Sequence, residues 1–365
     1  SDGEADLSLT VRGEADVAPT IALEGELRDI TLAGVPGSSA VYRMTLESGE
    51  ATVEANVTLA SEGSFRLGGT GVVEGSLFEI ERALRDGVYQ LDIDADSVSV
   101  AVLDAALGAG APEGTSGHLT GHIDVEGPIA APTFIGNLSI PDLKIPGWPE
   151  MRLGLATRYE YGSFSGNATL ADAEGTLLEG EGSVMIDLAY AIENPDEAIA
   201  ALDTSPWRFS IRVPPRPMGG VPIPIIEALP FDPSDLHVAG SLTLSGGAFR
   251  TRGHLLASID YVPTNVAGAL CGASSEPRAT LIAELAEGRT EARLHGVVAG
   301  RRVLTMTARA ATPVGEWLRT GSIPSIPPVR IEAKIDQVSA DSVPMLCEWL
   351  AGDLGGAVVV DDLFG

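Results

Sequence analysis

The sequence predicts an all-β fold: a long, twisted, curled and antiparallel-rich sheet forming an open groove, built from about three repeats with short helices. Three observations predict it. Apolar and polar residues alternate in run after run, the signature of half-buried strands. Gly and Pro punctuate those runs, 43 and 24 among 365 residues, which suits many short strands and turns. Blocks of the pattern also recur along the chain.

The clearest block is Gly117 to Ile140, GHLTGHIDVEGPIAAPTFIGNLSI. Leu119, Ile123 and Val125 share one parity, and Phe134, Leu138 and Ile140 share one in the following run, so each run is a strand with one apolar side. The hinge from Gly127 to Pro132 cannot continue either strand, because Pro lacks an N–H and Gly has no side chain to pack. A first copy lies at Val11, Gly13, Pro19 and Thr20, and a third at Leu242, Leu244 and Gly246. Gly49, Gly162 and Gly288 each end one alternating run and begin another, and Tyr89, Trp207 and Val329 open matching runs. The spacing, roughly 110–125 residues, gives repeat units over 1–130, 131–245 and 246–365 that share one groove.

In chain order, strands are expected over 6–11, 22–33, 41–46, 51–59, 65–73 and 89–94. The second unit offers 134–140, 153–161, 163–170, 176–182, 183–190 and 207–213. The third offers 248–261, 278–285, 291–298, 302–308 and 329–335. Helical spacing of Leu77, Ile80 and Leu84 predicts a helix over 76–86 behind a Ser cap. Short helices are also expected at 194–202, 314–318 and 343–350, and 100–107 reads as helix or loop. The Pro-rich stretch Pro214 to Phe231 reads as a loop over the sheet.

These helices are too few to cover so many apolar strand faces, and each Å² of apolar surface left in water costs about 25 cal/mol. The faces are hidden either in tandem β-sandwiches or by one sheet curling into a groove. Aromatic content is 5%, and the four Trp recur at no fixed place in the unit, which disfavours sandwich cores. Parity then assigns the groove wall to Val53, Val57, Leu59, Leu119, Ile123, Val125, Phe134, Leu138, Leu153, Leu155, Tyr159, Phe164, Leu170, Leu242, Leu244, Leu281, Leu285, Leu294 and Met306. Such a wall suits acyl chains.

The pattern G-x-L-x-G-x-I-x-V-x-G followed by A-P-x-x-x-G-x-L, from Gly117 to Leu138, resembles the repeat of the TamB/AsmA-like family, as does the run Tyr159 to Leu170. The resemblance covers most of the chain, most strongly 1–190, and weakens around Pro214 to Phe231. It implies a periplasmic "β-taco" in a Gram-negative envelope, tethered to the inner membrane by a segment outside this sequence. It further implies a conduit carrying phospholipid between inner and outer membranes. An Omp85-type outer-membrane barrel is the implied partner, in a translocation and assembly module for outer-membrane biogenesis. The family supplies no catalytic residues and no cofactor. Two other readings stand beside the conduit: a scaffold whose sheet edge templates incoming strands of outer-membrane proteins, and a structural or adhesive rod of tandem sandwiches.

Composition bounds the alternatives. Hydrophobic content of 44% argues against disorder despite a net charge of −28, and 51 acidic against 23 basic residues argue against nucleic acid. No apolar run approaches the ~18–20 residues of a membrane-spanning helix. The repeat is entered and left in mid-unit, so the sequence reads as a piece of a longer protein. No G-x-S-x-G or phosphate-binding loop is present, and a non-enzyme is expected. His118, His122 and Asp124 share a strand, and Asp92, Asp94 and Asp96 alternate on another. Both sets read as solvated faces, with no metal expected. Cys271 and Cys347, the only cysteines, could form a disulfide or stay as free thiols.

Overall fold

A computed structural model describes residues 3–12, 20–32, 34–60, 62–74, 82–83, 86–107, 111–128, 131–187, 190, 205–218, 235–246, 251–262, 277–286, 288–298, 300–312, 329–339 and 353–360. Among the described residues the fold is almost entirely β, with nineteen strands that pair antiparallel. The chain divides into two compact units, Ser1–Gly175 with Ile186–Ala198, and Thr176–Met185 with Ile199–Gly365.

The first unit holds β1 (Glu4–Arg12), β2 (Thr20–Leu32), β3 (Val35–Glu47), β4 (Glu50–Thr58), β5 (Ser64–Val72), β6 (Val88–Ser99), β7 (His118–Pro128), β8 (Thr133–Leu143), β9 (Met151–Glu160) and β10 (Ser163–Asp172). Its one described helix of length, α1 (Val100–Leu107), follows β6. Each strand pairs with the next in chain order, an up-and-down meander. The turns follow from the sequence. Ser48–Gly49 and Tyr161–Gly162 have φ of 52° and 86°, and 51° and 74°. Two consecutive residues in the left-handed region make the turn that matches strand twist, and Gly takes it at no steric cost. The glycines that mark the sequence repeat are thus hairpin glycines, and Gly288 in the second unit has φ 75°.

The second unit holds β11 (Gly175–Met185), β12 (Trp207–Pro217), β13 (Leu236–Gly246), β14 (Arg252–Tyr261), β15 (Arg278–Ala286), β16 (Arg289–Val298), β17 (Arg301–Ala311), β18 (Val329–Ser339) and β19 (Asp353–Val360), again paired in chain order.

Two local expectations are corrected. The runs expected at 176–182 and 183–190 do not make two strands: 176–185 lie in one, β11, which ends at Met185, because Gly180 and Gly182 sit within the ladder opposite Ile211 and Phe209 instead of turning the chain. Pro214 to Pro217 belong to β12 rather than to a loop. The register slips between Val213 and Arg216, a bulge that takes prolines unable to donate to the ladder. The segment 100–107 is helical. Arg82, Ala83 and Asp86 from the helix expected over 76–86 are also helical. The helices expected at 194–202, 314–318 and 343–350, most of the Pro-rich stretch and both cysteines lie outside the described residues.

Burial tells where the core sits. In a sandwich the middle of the inward face is the driest place. In the first unit the most buried side chains lie instead near the strand ends: Leu46 (1% exposed), Val73, Val98 (0%) and Met151. β1 is exposed along its whole length, as an unpaired edge is. The sandwich alternative does not describe this unit. It is an open antiparallel sheet.

Candidate functional site

Register turns the parity of single strands into a surface. On one face of the first unit, Leu9, Leu23, Met44, Val53, Gly69, Leu91, Val125, Phe134, Tyr159 and Phe164 lie directly opposite one another from β1 to β10. Past the row through Gly25, Tyr42, Ala55, Leu67, Ile93 and Ile123, the same face carries another, Leu27, Ala40, Val57, Phe65, Ala95, Gly121, Leu138, Leu155 and Ala168. Every residue in these rows faces the same way, because cross-strand partners share a face of the pleat. Outside the edge strand most are half-buried, Tyr159 excepted.

Two buried rims flank the rows. At one end of the strands Leu46, Ala51, Val73 and Ala83 form a core against Ile21 and Tyr89, and burial pushes the Tyr89 phenol above its ordinary value. At the other end Leu59, Val98, Leu119, Ile140, Leu143 and Met151 are buried, with Val102 of α1 among them. The result is an apolar floor, half-open along its middle, between two dry margins. Phe134 stacks on Tyr159 at 5.6 Å and 18°, and Phe164 tilts against Phe134 at 6.1 Å. The Tyr159 hydroxyl donates to the Ile186 carbonyl at 3.1 Å, so this aromatic group is fixed at its polar tip as well.

All the first-unit residues assigned by parity lie on this face. Val53, Val57, Ile123, Val125, Phe134, Leu138, Leu153, Leu155, Phe164 and Leu170 line the half-open floor. Leu59, Leu119 and Tyr159 belong to its buried parts. In the second unit Leu242, Leu244, Leu281, Leu285, Leu294 and Met306 also share one face. Phe209, Leu244, Gly253 and Leu285 stand opposite one another, as do Leu281, Leu294, Met306 and Ala333. Leu23, Met44, Leu91 and Ile93 line the floor equally and were missed. Their alternation was the signal that could have found them.

The opposite face is polar. In the first unit Arg43 pairs with Glu24 at 2.8 Å, and in the second, taken by itself, Arg212 pairs with Glu179 at 3.6 Å, exposed contacts that each add little stability. Here His118 and His122 part company. The His118 ring lies 2.6 Å from Asp142 and its backbone N–H donates to the same carboxylate. His122 meets Asp94 through Nδ1 (2.7 Å) and Asp124 through Nε2 (2.9 Å), which favours its protonated form. Asp92, His122 and Asp124 are the set with metal-ligand spacing among the described residues, their donor atoms within 4.8 Å of one another. Both ring nitrogens already face carboxylates, the arrangement of an imidazolium held between acids. No described helix is long and apolar enough to cross a membrane. Comparisons with family models, with curated proteins and with solved structures returned no match.

Proposed function

We propose that the apolar faces are lipid-bearing floors, and that the protein carries phospholipid across the periplasm between the inner and outer membranes of a Gram-negative envelope, supporting outer-membrane integrity. One observation carries the reading: largely apolar rows run in register, one across ten strands and another across nine, half-buried along their middle and dry at the rims. A face of this kind costs free energy in water and recovers it when hydrocarbon lies on it. Acyl tails would rest along the rows, across the strands, while headgroups stay in water. The process is passive and asks for no cofactor or catalytic group. The exposed edge strand β1, with Leu7 and Leu9 63% and 62% exposed, favours a second reading, a template for strands of outer-membrane proteins beside an Omp85-type barrel.

Mass spectrometry of lipid that co-purifies with the chain tests the first reading. Near-stoichiometric phospholipid is expected, and Ile123→Asp or Leu138→Asp, each placing a charge on the floor, should strip it. A folded variant that keeps its full lipid load, or a native chain that carries none, overturns the conduit. The second outcome shifts weight to the strand template.

A further inference from the structure

The floor carries glycines whose backbone does not require them. Gly25, Gly121, Gly246 and Gly253 lie inside strands, and none has the left-handed φ that favours Gly. What each lacks is room. A Cβ on Gly25 would run into the ring of Tyr42, its partner across the β2–β3 ladder. On Gly246 it would meet the indole of Trp207 at 2.5 Å, and on Gly253 the Leu244 Cδ2 at 2.6 Å, both again direct cross-strand partners. At Gly121 a Cβ would meet the Leu138 side chain and, in addition, the partner strand's backbone at the Asn137 carbonyl oxygen, 2.6 Å away. On the polar face Gly68 and Gly154 have nothing within 4 Å of such an atom.

We infer that these glycines are seats: each lets the large side chain of the neighbouring strand lie down along the sheet, keeping the floor shallow and smooth enough for unbranched acyl chains. A side chain that lies over a glycine contributes its apolar area without its height. With any larger residue in the seat, the partner must stand up, and the space above the sheet narrows. The inference rests on the lipid-bearing reading and adds to it the residues that set the cross-section and the class of chain that fits.

Titration with cis-parinaric acid, a straight-chain fluorescent fatty acid, tests it on the full 365-residue chain. Circular dichroism first confirms that each variant is folded. Gly25→Ala and Gly253→Ala should weaken binding about tenfold or more, since one methyl in a packed site displaces its neighbour. Gly253→Ala combined with Leu244→Ala should recover most of the loss, and Gly154→Ala should bind as the native chain does. The two seats lie in different units, so misfolding of one variant leaves the other to decide. A native chain that binds no probe removes the lipid-bearing reading and this one together. Native binding with unaffected seat variants, or with no recovery in the double variant, overturns the seats alone.

Discussion

His122 and Asp94 face each other across the β6–β7 ladder, with Nδ1 2.7 Å from the carboxylate. Asp124 meets the other ring nitrogen, Asp92 lies 4.0 Å away, Arg66 stands opposite Asp94 on β5, and the neutral Asn137 stands opposite His122 on β8. The hydrogen bond with Asp94, then that with Asp124, holds His122 above its ordinary value of 6.5. A group raised on folding stabilises the fold fully below its unfolded value, and that contribution fades as pH rises through the folded value. Native chain and His122→Asn should therefore differ most in melting temperature at mildly acid pH and converge toward alkaline pH. A gap that widens with pH would contradict the assignment.

Asp142 supplies the opposite sign. The His118 ring and then the His118 backbone N–H hold its carboxyl below the ordinary 3.8. Its contribution is present above that value and is lost as pH falls through the depressed one. Asp142→Asn should lower the melting temperature at neutral pH, and the loss should vanish in strong acid. Melting curves from pH 2 to 7 decide it, and a loss that persists at the acid end points to packing instead of charge.

Rim and floor should differ in energetic weight. Leu46 is 1% exposed within the rim core, whereas Val53, opposite Met44 one row in, is half-buried. Leu46→Ala should cost about 2–5 kcal/mol, as buried leucines do. Val53→Ala should cost about 1 kcal/mol, because its methyls are partly in water already. Urea denaturation of the two variants separates them. Equal losses would mean that the floor is sealed as firmly as its margins, and the open face would lose its physical basis.

Alternation made the strand faces readable in the sequence. Val53, Ile123, Leu138 and Leu155 were assigned by parity alone, and pairing puts them on one surface, since a period of two leaves no freedom once a strand is granted. Strand ends were less readable. Pro214 to Pro217 stay in β12 because a one-residue bulge accepts them, and nothing local announces a bulge. Parity reaches Leu59 and Leu119 of one rim, but the rim around Leu46 is not legible, because Val73 and Ala83 are brought against Leu46 by tertiary packing, not by period. The two histidines showed the limit of spacing arguments: i and i+4 share a face, yet each finds acids on a different neighbouring strand. The glycine seats were hidden for a related reason. A strand glycine reads as a weakness until register shows the ring or leucine lying over it.

The repeat glycines carry a prediction of their own, separate from the seats. Gly162 closes the β9–β10 hairpin with φ 74° after Tyr161 at 51°, and Gly49 closes β3–β4 with φ 86°. Space is not the constraint at Gly162, where a Cβ would approach only the Ile186 carbonyl oxygen, at 3.9 Å. Backbone conformation is, since an L-residue in the left-handed region is disfavoured by about 1–2 kcal/mol. Gly162→Ala should lose roughly that much stability, and Gly162→Asn less, because Asn tolerates this region. Gly154→Ala, in the neighbouring strand with no positive φ and open space around it, should stay within about 0.5 kcal/mol of the native chain. Chemical denaturation of the three variants reads the order. If Gly162→Ala matched Gly154→Ala, the repeat would not be written in hairpin conformation, and Gly49, Gly162 and Gly288 would need another reason to recur.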